Sequence, residues 1–272
     1  MSTRSSRSRG ALFLLSLPLM AGLVVLAQAL EGGRLALLVQ PAAALVVFGG
    51  TLAAVAFSFP PSLLGRTWRA LRRAFGAPPE SEEVLLARMG EYATRARASG
   101  ALSLEADADG IEDPFLSRAL SLVVDGASPA DVRHTLKAFS QAREEADAEC
   151  AHVLEAASGY APTLGILGAV LGLMQAMEHL AAPAEVGPAI AVAFVATIYG
   201  VGSANLIFLP LATRLRGMGR AAAISRDLVI EGAVAIQQGL HPRLVDGHLR
   251  SLLSAWHPAT PRRSPRRAVV RH

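Results

Sequence analysis

The side chains able to do chemistry inside the apolar stretches of this chain are few and of one kind. Thr163, Thr197, Tyr199, Ser203 and Asn205 supply hydroxyl and amide groups, a polar lining rather than a reactive centre. A proton path at membrane depth needs a group that titrates there. No Asp, Glu, Lys, Arg or His falls in any of the long apolar runs, so if ions cross, a partner helix has to bring the carboxylate. Each hydroxyl also has a plainer use, since Ser and Thr in membrane helices commonly bond their own backbone. Pro162 and Pro210 stand near the start of the third run and the end of the fourth. Proline removes a helix hydrogen bond and crowds the preceding turn, which makes either a static kink or a hinge beside a gate. Cys150 is the only cysteine, which excludes an intrachain disulfide or a thiolate metal cluster and leaves an ordinary helix residue.

The elements that hold these groups follow from composition. The chain has 272 residues, 52% hydrophobic and only 18% charged, and its mean hydropathy is +0.38. Its apolar residues are gathered into four uncharged runs, 11–30, 35–59, 156–177 and 186–213. Each is about the ~20 residues that a helix needs to cross hydrocarbon, and in lipid a single segment must satisfy its backbone as a helix. The fold class expected is all-α, a polytopic membrane protein of four transmembrane helices with a helical insert between the second and third. Arg4, Arg7 and Arg9 precede the first run, Arg66, Arg69, Arg72 and Arg73 follow the second, and Arg214, Arg216 and Arg220 follow the fourth. By the positive-inside rule both termini and the insert lie in the cytoplasm. A basic start, an apolar run and Ala27-Gln28-Ala29 also fit the outline of a cleaved signal peptide, although the run is longer than usual.

The expected organisation is a cytoplasmic N-terminus (1–10), a transmembrane hairpin (11–59), a cytoplasmic helical region (60–155), a second hairpin (156–213), a helical extension (214–257) and a basic disordered tail (258–272). The spacing predicts helices over 82–97, Pro114–Val124 and 129–155, with Ser128 as an N-cap and Pro114 and Pro129 in first turns. No strong breaker separates 129–155 from the third run, and 211–239 continues the fourth, so both spans should project into the cytoplasm as long helices. The formal net charge of +4 hides an asymmetry. Residues 60–155 carry 11 basic and 16 acidic side chains, whereas 214–272 carry 11 and 3. Anionic headgroups are the simpler partner for the basic end, and nucleic acid is not expected because no recognition motif accompanies it. No phosphate loop, zinc-protease or nucleophile-elbow motif is present, so no enzyme is expected. Small residues recur four apart, at Gly49 and Ala53, Gly165 and Ala169, Gly168 and Gly172, and Ala189, Ala193 and Thr197. Such spacing lets helix backbones approach closely, within one chain or between copies.

Residues 160–172 (YAPTLGILGAVLG), 187–200 (GPAIAVAFVATIYG) and 205–212 (NLIFLPLA) closely resemble the last two membrane helices of the flagellar stator A subunits, MotA, PomA and MotC, within the MotA/TolQ/ExbB proton channel superfamily. Residues 46–54 (VVFGGTLAA), with Phe59 and Pro60 after them, are similar to the family's second helix. Residues 97–105 (RASGALSLE) resemble the segment that contacts the rotor protein FliG. The resemblance implies a ring of five A subunits around two MotB-like B subunits, each B with a membrane Asp and a peptidoglycan-binding domain, in the bacterial inner membrane. It assigns Arg97 and Glu105 to the rotor contact, and Pro162, Pro210 and Thr197 to the ion path; Thr163, Ala169 and Tyr199 are expected beside that path. No cofactor is implied. The translocated ion is expected to be H+ rather than Na+, because sodium-type relatives tend to carry threonine where this chain has Ala169 and Ala196. Two other readings share part of the pattern. An ExbB- or TolQ-type energiser also depends on a partner's Asp but places its insert after the first span, and a non-conducting membrane scaffold would need only the packing motifs.

Overall fold

The computed structural model describes residues 38–76 and 80–256, with Gly22 and Leu30 as isolated positions. The first apolar run and the Arg-rich tail therefore lie outside the described residues. Every described element is a helix. Three helices are long and apolar enough to cross a membrane, namely α1 (Pro41–Ser58), α6 (Pro129–Glu178) and α7 (Ala184–Gln237). They carry the second, third and fourth runs. Between them lie α2 (Pro61–Ala74), α3 (Glu82–Ser99), α4 (Glu105–Gly110) and α5 (Pro114–Val124), and α8 (Pro242–Trp256) follows α7.

The chain divides into two compact units. One comprises the described residues up to 76 together with Glu144–Gly219; the other comprises Pro79–Arg143 and the residues from Arg220 on. The ends of the 60–155 region pack with the apolar helices, Leu63, Cys150 and Leu154 against Val55, Ala212 and Leu215.

In the first unit, α1 stops because Phe59 is held extended (φ −129°, ψ 142°) before Pro60, and Pro60 is extended in turn before Pro61, the first residue of α2. A residue before proline is driven out of the helical region in this way. Beneath the turn, Val55, Leu63, Cys150, Leu154, Ala157, Ala212 and Leu215 form one buried cluster, and Ala43, Val47, Val195 and Ala196 form a second. Cys150 is thus a buried thiol packed in this apolar cluster.

The second unit has the amphipathic cores of a soluble bundle. Leu86, Met89, Leu104, Leu116, Leu120, Leu136, Leu228 and Leu249 are sealed from solvent. Its helix ends are written in the sequence. Ser81 caps α3 by accepting from Val84 N–H, and Asp113 caps α5 by accepting from Phe115 N–H. Ser128 accepts from Asp131 N–H at 3.2 Å and donates to the Asp131 carboxylate at 2.6 Å. Gly100 and Gly239 take φ of +82° and +69° where α3 and α7 end, a region in which a β-carbon would be strained. α6 runs on from charged sequence into the third apolar run, and α7 runs from the fourth apolar run out into charged sequence with a π-turn at Ala204–Phe208 as its one irregularity.

Candidate functional site

The spans α6 and α7 meet along a seam of small residues. A β-carbon placed on Gly165 would stand 2.9 Å from the Ala196 carbonyl oxygen, one on Gly168 would stand 2.8 Å from Ala196 Cβ, and one on Gly172 would stand 2.9 Å from Ala193 N. On the facing helix, a β-carbon on Gly200 would lie 2.6 Å from the Ala161 carbonyl oxygen and 3.2 Å from Pro162 Cα. Backbone thus touches backbone over two turns. The glycines at Gly165, Gly168 and Gly172 are there because nothing larger fits, so much of the small-residue pattern serves packing within the chain. On the other side of α6, Ile166, Leu167, Val170 and Met174 are exposed, an apolar face of the kind that lipid or a neighbouring subunit covers.

Pro162 lies at the top of this seam. It has no N–H to give the Ser158 carbonyl, yet α6 continues through it. Two turns further on, Ala169 shares its face, and both are half-buried. Thr163 is exposed and donates to the Tyr160 carbonyl at 2.7 Å. Thr197 is half-buried and donates to the Ala193 carbonyl at 3.3 Å. Ser203 and Asn205 likewise donate to Gly200 and Val201 carbonyls, at 3.1 and 3.0 Å. In the isolated chain, then, these polar groups rest on their own helices, with lone pairs left for a further partner.

Tyr199 is placed differently. Two residues from Thr197, it points about 200° away around the helix. Its hydroxyl donates to the Leu38 carbonyl and accepts from Gln40 N–H at 3.3 Å, and its ring lies 5.5 Å from that of Phe48. It ties α7 to the backbone that leads into α1, so it and Thr197 cannot line the same side of α7. Ala196 is fully buried against Gly168, whereas Ala169 keeps partial exposure.

Pro210 is accommodated by a feature absent from the sequence-based reading. Residues Ala204–Phe208 form a π-turn, in which Leu209 N–H reaches back five residues to the Ala204 carbonyl. A wider turn directly before a proline gives its ring room and changes which carbonyls are paired. A second π-turn, Leu45–Gly49, interrupts α1 opposite no proline at all. π-Turns are frequent where helices carry function.

Arg97 and Glu105 lie in the second unit. Arg97 lies in the last turn of α3 and donates from Nη1 to the Gly239 carbonyl at 3.1 Å, which places a cation on the C-terminal end of α7. Glu105 opens α4, exposed, with no hydrogen-bond or ion-pair partner among the described residues. Close by in sequence, Arg95 grips Asp107 through two hydrogen bonds of 2.7 and 3.0 Å and lies 5.3 Å from the ring centroid of Tyr92. The bond to Asp107 pushes the Arg95 guanidinium still higher than its ordinary value. Burial raises the Tyr92 phenol above its ordinary 10.0. The Arg95–Asp107 clasp was not legible in sequence, since twelve residues separate its ends.

The described helices thus include three long and apolar enough to cross a membrane, two of them joined along a glycine seam marked by a proline. Residues 107–226 match the MotA/TolQ/ExbB proton channel family. Motility protein A of Bacillus subtilis (strain 168) is 34% identical over 227 residues, 83% of this chain and 84% of that protein. Among solved structures, C. jejuni MotAB superposes with a TM-score of 0.84 at 26% identity, covering 93% of this chain and 98% of that one. The flagellar MotAB stator complex from Bacillus subtilis does so with a TM-score of 0.82 at 32% identity, covering 90% and 97%. The chain belongs to the MotA branch of the MotA/TolQ/ExbB proton channel family.

Proposed function

We propose that the chain is the A subunit of a flagellar stator, an ion-driven machine of the inner membrane that turns ion flow into torque on the rotor. The observation that carries this reading is the likeness, over nine-tenths of the chain, to subunits of two MotAB complexes. In this reading the chain assembles as a ring of five around a dimer of B subunits, whose membrane Asp supplies the titrating group that the spans of this chain lack. Both termini are cytoplasmic. The seam of α6 and α7 is the rigid wall facing that Asp, with Pro162, Thr163, Ala169 and Thr197 on or beside the path and the π-turn before Pro210 as the element that yields. Tyr199 couples indirectly, by holding α1 against α7. Arg97 and Glu105 face groups of the opposite charge on FliG, acidic for Arg97 and basic for Glu105.

The translocated ion is a proton. Neither Ala169 nor Ala196 offers a side-chain oxygen to replace sodium's water, and Ala196 is closed in by Gly168. A proton falling through ~150 mV releases roughly 3.5 kcal/mol, at ~2.3 kcal/mol per 100 mV, enough to bias a conformational step. The test is swimming of a strain lacking its A subunit, complemented with this chain and a B-type partner, while sodium is exchanged for potassium at constant proton-motive force. Unchanged speed is expected. No rescue by the pair would refute the stator reading, and strict sodium dependence would refute the ion assignment alone.

A further inference from the structure

We propose that the outward face of α2 is an interfacial anchor that binds anionic lipid headgroups of the leaflet at which α1 ends. Only Phe59 and Pro60 separate the apolar helix α1 from α2, so α2 begins at the depth where the span leaves hydrocarbon. Its inner side is accounted for. Leu63, Thr67 and Ala74 are buried and Leu64, Ala70 and Leu71 half-buried. Arg66 turns inward too, donating to the Ala146 carbonyl at 3.0 Å and lying 3.5 Å from the Glu149 carboxylate.

The other side is a stripe at i, i+4, i+7, i+8 and i+11, formed by Pro61, Gly65, Trp68, Arg69 and Arg72, with Arg73 beside it; all are exposed. Trp68 is 64% exposed, a large cost for a tryptophan facing water. Arg72 and Arg73 have no side-chain partner among the described residues, and Arg69 reaches only its own helix at the Gly65 carbonyl. From residue 60 to residue 79 there is no Asp or Glu. Three unneutralised guanidiniums and a tryptophan on one face, fixed by the chain at the membrane boundary, match an interfacial helix: the indole sits at headgroup level and the arginines pair with lipid phosphates. An acidic protein surface has comparable charge, but it would have to reach a face held at the lipid surface by the end of α1. The inference needs α1 to span the membrane and is independent of the ion or the rotor; the leaflet is the cytoplasmic one in the orientation proposed above.

The full-length chain with its B-type partner, in nanodiscs, tests it. Trp256→Phe leaves Trp68 as the sole tryptophan of this chain, and a tryptophan-free B partner keeps the signal unique. Its quenching by brominated phosphatidylglycerol is compared with quenching by brominated phosphatidylcholine. A several-fold preference for phosphatidylglycerol is expected, each arginine contributing up to about fivefold. The preference should shrink in about 0.5 M salt, where the Debye length falls to a few ångströms, and approach unity in R69Q/R72Q/R73Q. Equal quenching by both lipids in the parent protein would overturn the proposal. So would a Trp68 that neither lipid quenches, which would mean that the face is turned to water or covered by protein.

Discussion

The backbone of Gly200 on α7 lies against Pro162 on α6, so close that a β-carbon on Gly200 would stand 3.2 Å from Pro162 Cα and 2.6 Å from the neighbouring Ala161 carbonyl oxygen. The proline that removes a hydrogen bond from α6 is thus pressed on by bare backbone from the other span. Movement at Pro162 is necessarily felt by α7, since no flexible side chain lies between them to absorb it.

Gly200→Ala should destabilise the protein although alanine is the better helix former. Propensity favours alanine by up to ~1 kcal/mol, but forcing a methyl against the Ala161 carbonyl oxygen and the α6 backbone at Pro162 and Gly165 costs about 1–3 kcal/mol. Gly187→Ala, where nothing lies within 4 Å, is the control. Thermal unfolding of the purified complex should show a lower Tm for the first variant only; equal Tm values would mean that the seam opens freely.

Replacing Pro162 by Ala returns an N–H to the Ser158 carbonyl and continues the regular hydrogen-bond ladder of α6. Assembly and thermal stability should be unchanged or slightly raised, while swimming speed falls by at least half. Normal swimming with a stiffened helix would remove the hinge from the mechanism.

The two charges proposed to face the rotor, Glu105 and Arg97, should behave differently. Glu105 has no partner within its own unit, so Glu105→Lys should cut motility with no change in Tm. Arg97 also holds the Gly239 carbonyl, so Arg97→Ala should lose motility and up to ~1 kcal/mol of stability, the usual net worth of one hydrogen bond. Motility assays beside thermal melts separate the two; a stability loss in Glu105→Lys would contradict the placement.

Tyr92 gives the second unit an alkaline limit. Burial raises its pKa above the ordinary 10.0, so the folded state holds the phenol proton more tightly than the unfolded state does. That contribution is complete below about pH 10 and is lost as pH rises through the folded-state value. Melts recorded from pH 8 to 11 should fall more steeply for the parent protein than for Tyr92→Phe, and parallel curves would refute the attribution.

Much of the fold was legible because its signals are local. Pro114, and Ser128 with Pro129, mark helix starts by chemistry confined to one turn. The uncharged runs mark the spans for the same reason. What escaped depends on chain segments far apart. Tyr199 reads as a polar group in a span, but its partners Leu38 and Gln40 are 161 and 159 residues away. Arg97 reads as a solvated charge until Gly239 closes α7 beside it. The glycine spacing announced close packing without saying whether Gly165 would meet Gly200 or another copy of the chain. The π-turns have no local signature, for Ala204–Phe208 is followed by a proline and Leu45–Gly49 is not.

In the stator proposed above, this chain generates torque only together with a carboxylate-bearing partner. The most direct measurement is the rotation of single tethered cells devoid of stators while the chain and its B-type partner are induced together. Speed should rise in discrete equal steps as units join the motor, and should not rise when the partner's membrane Asp is replaced by Asn. Rotation restored by the chain without a functional partner, or no steps with both present, would contradict it.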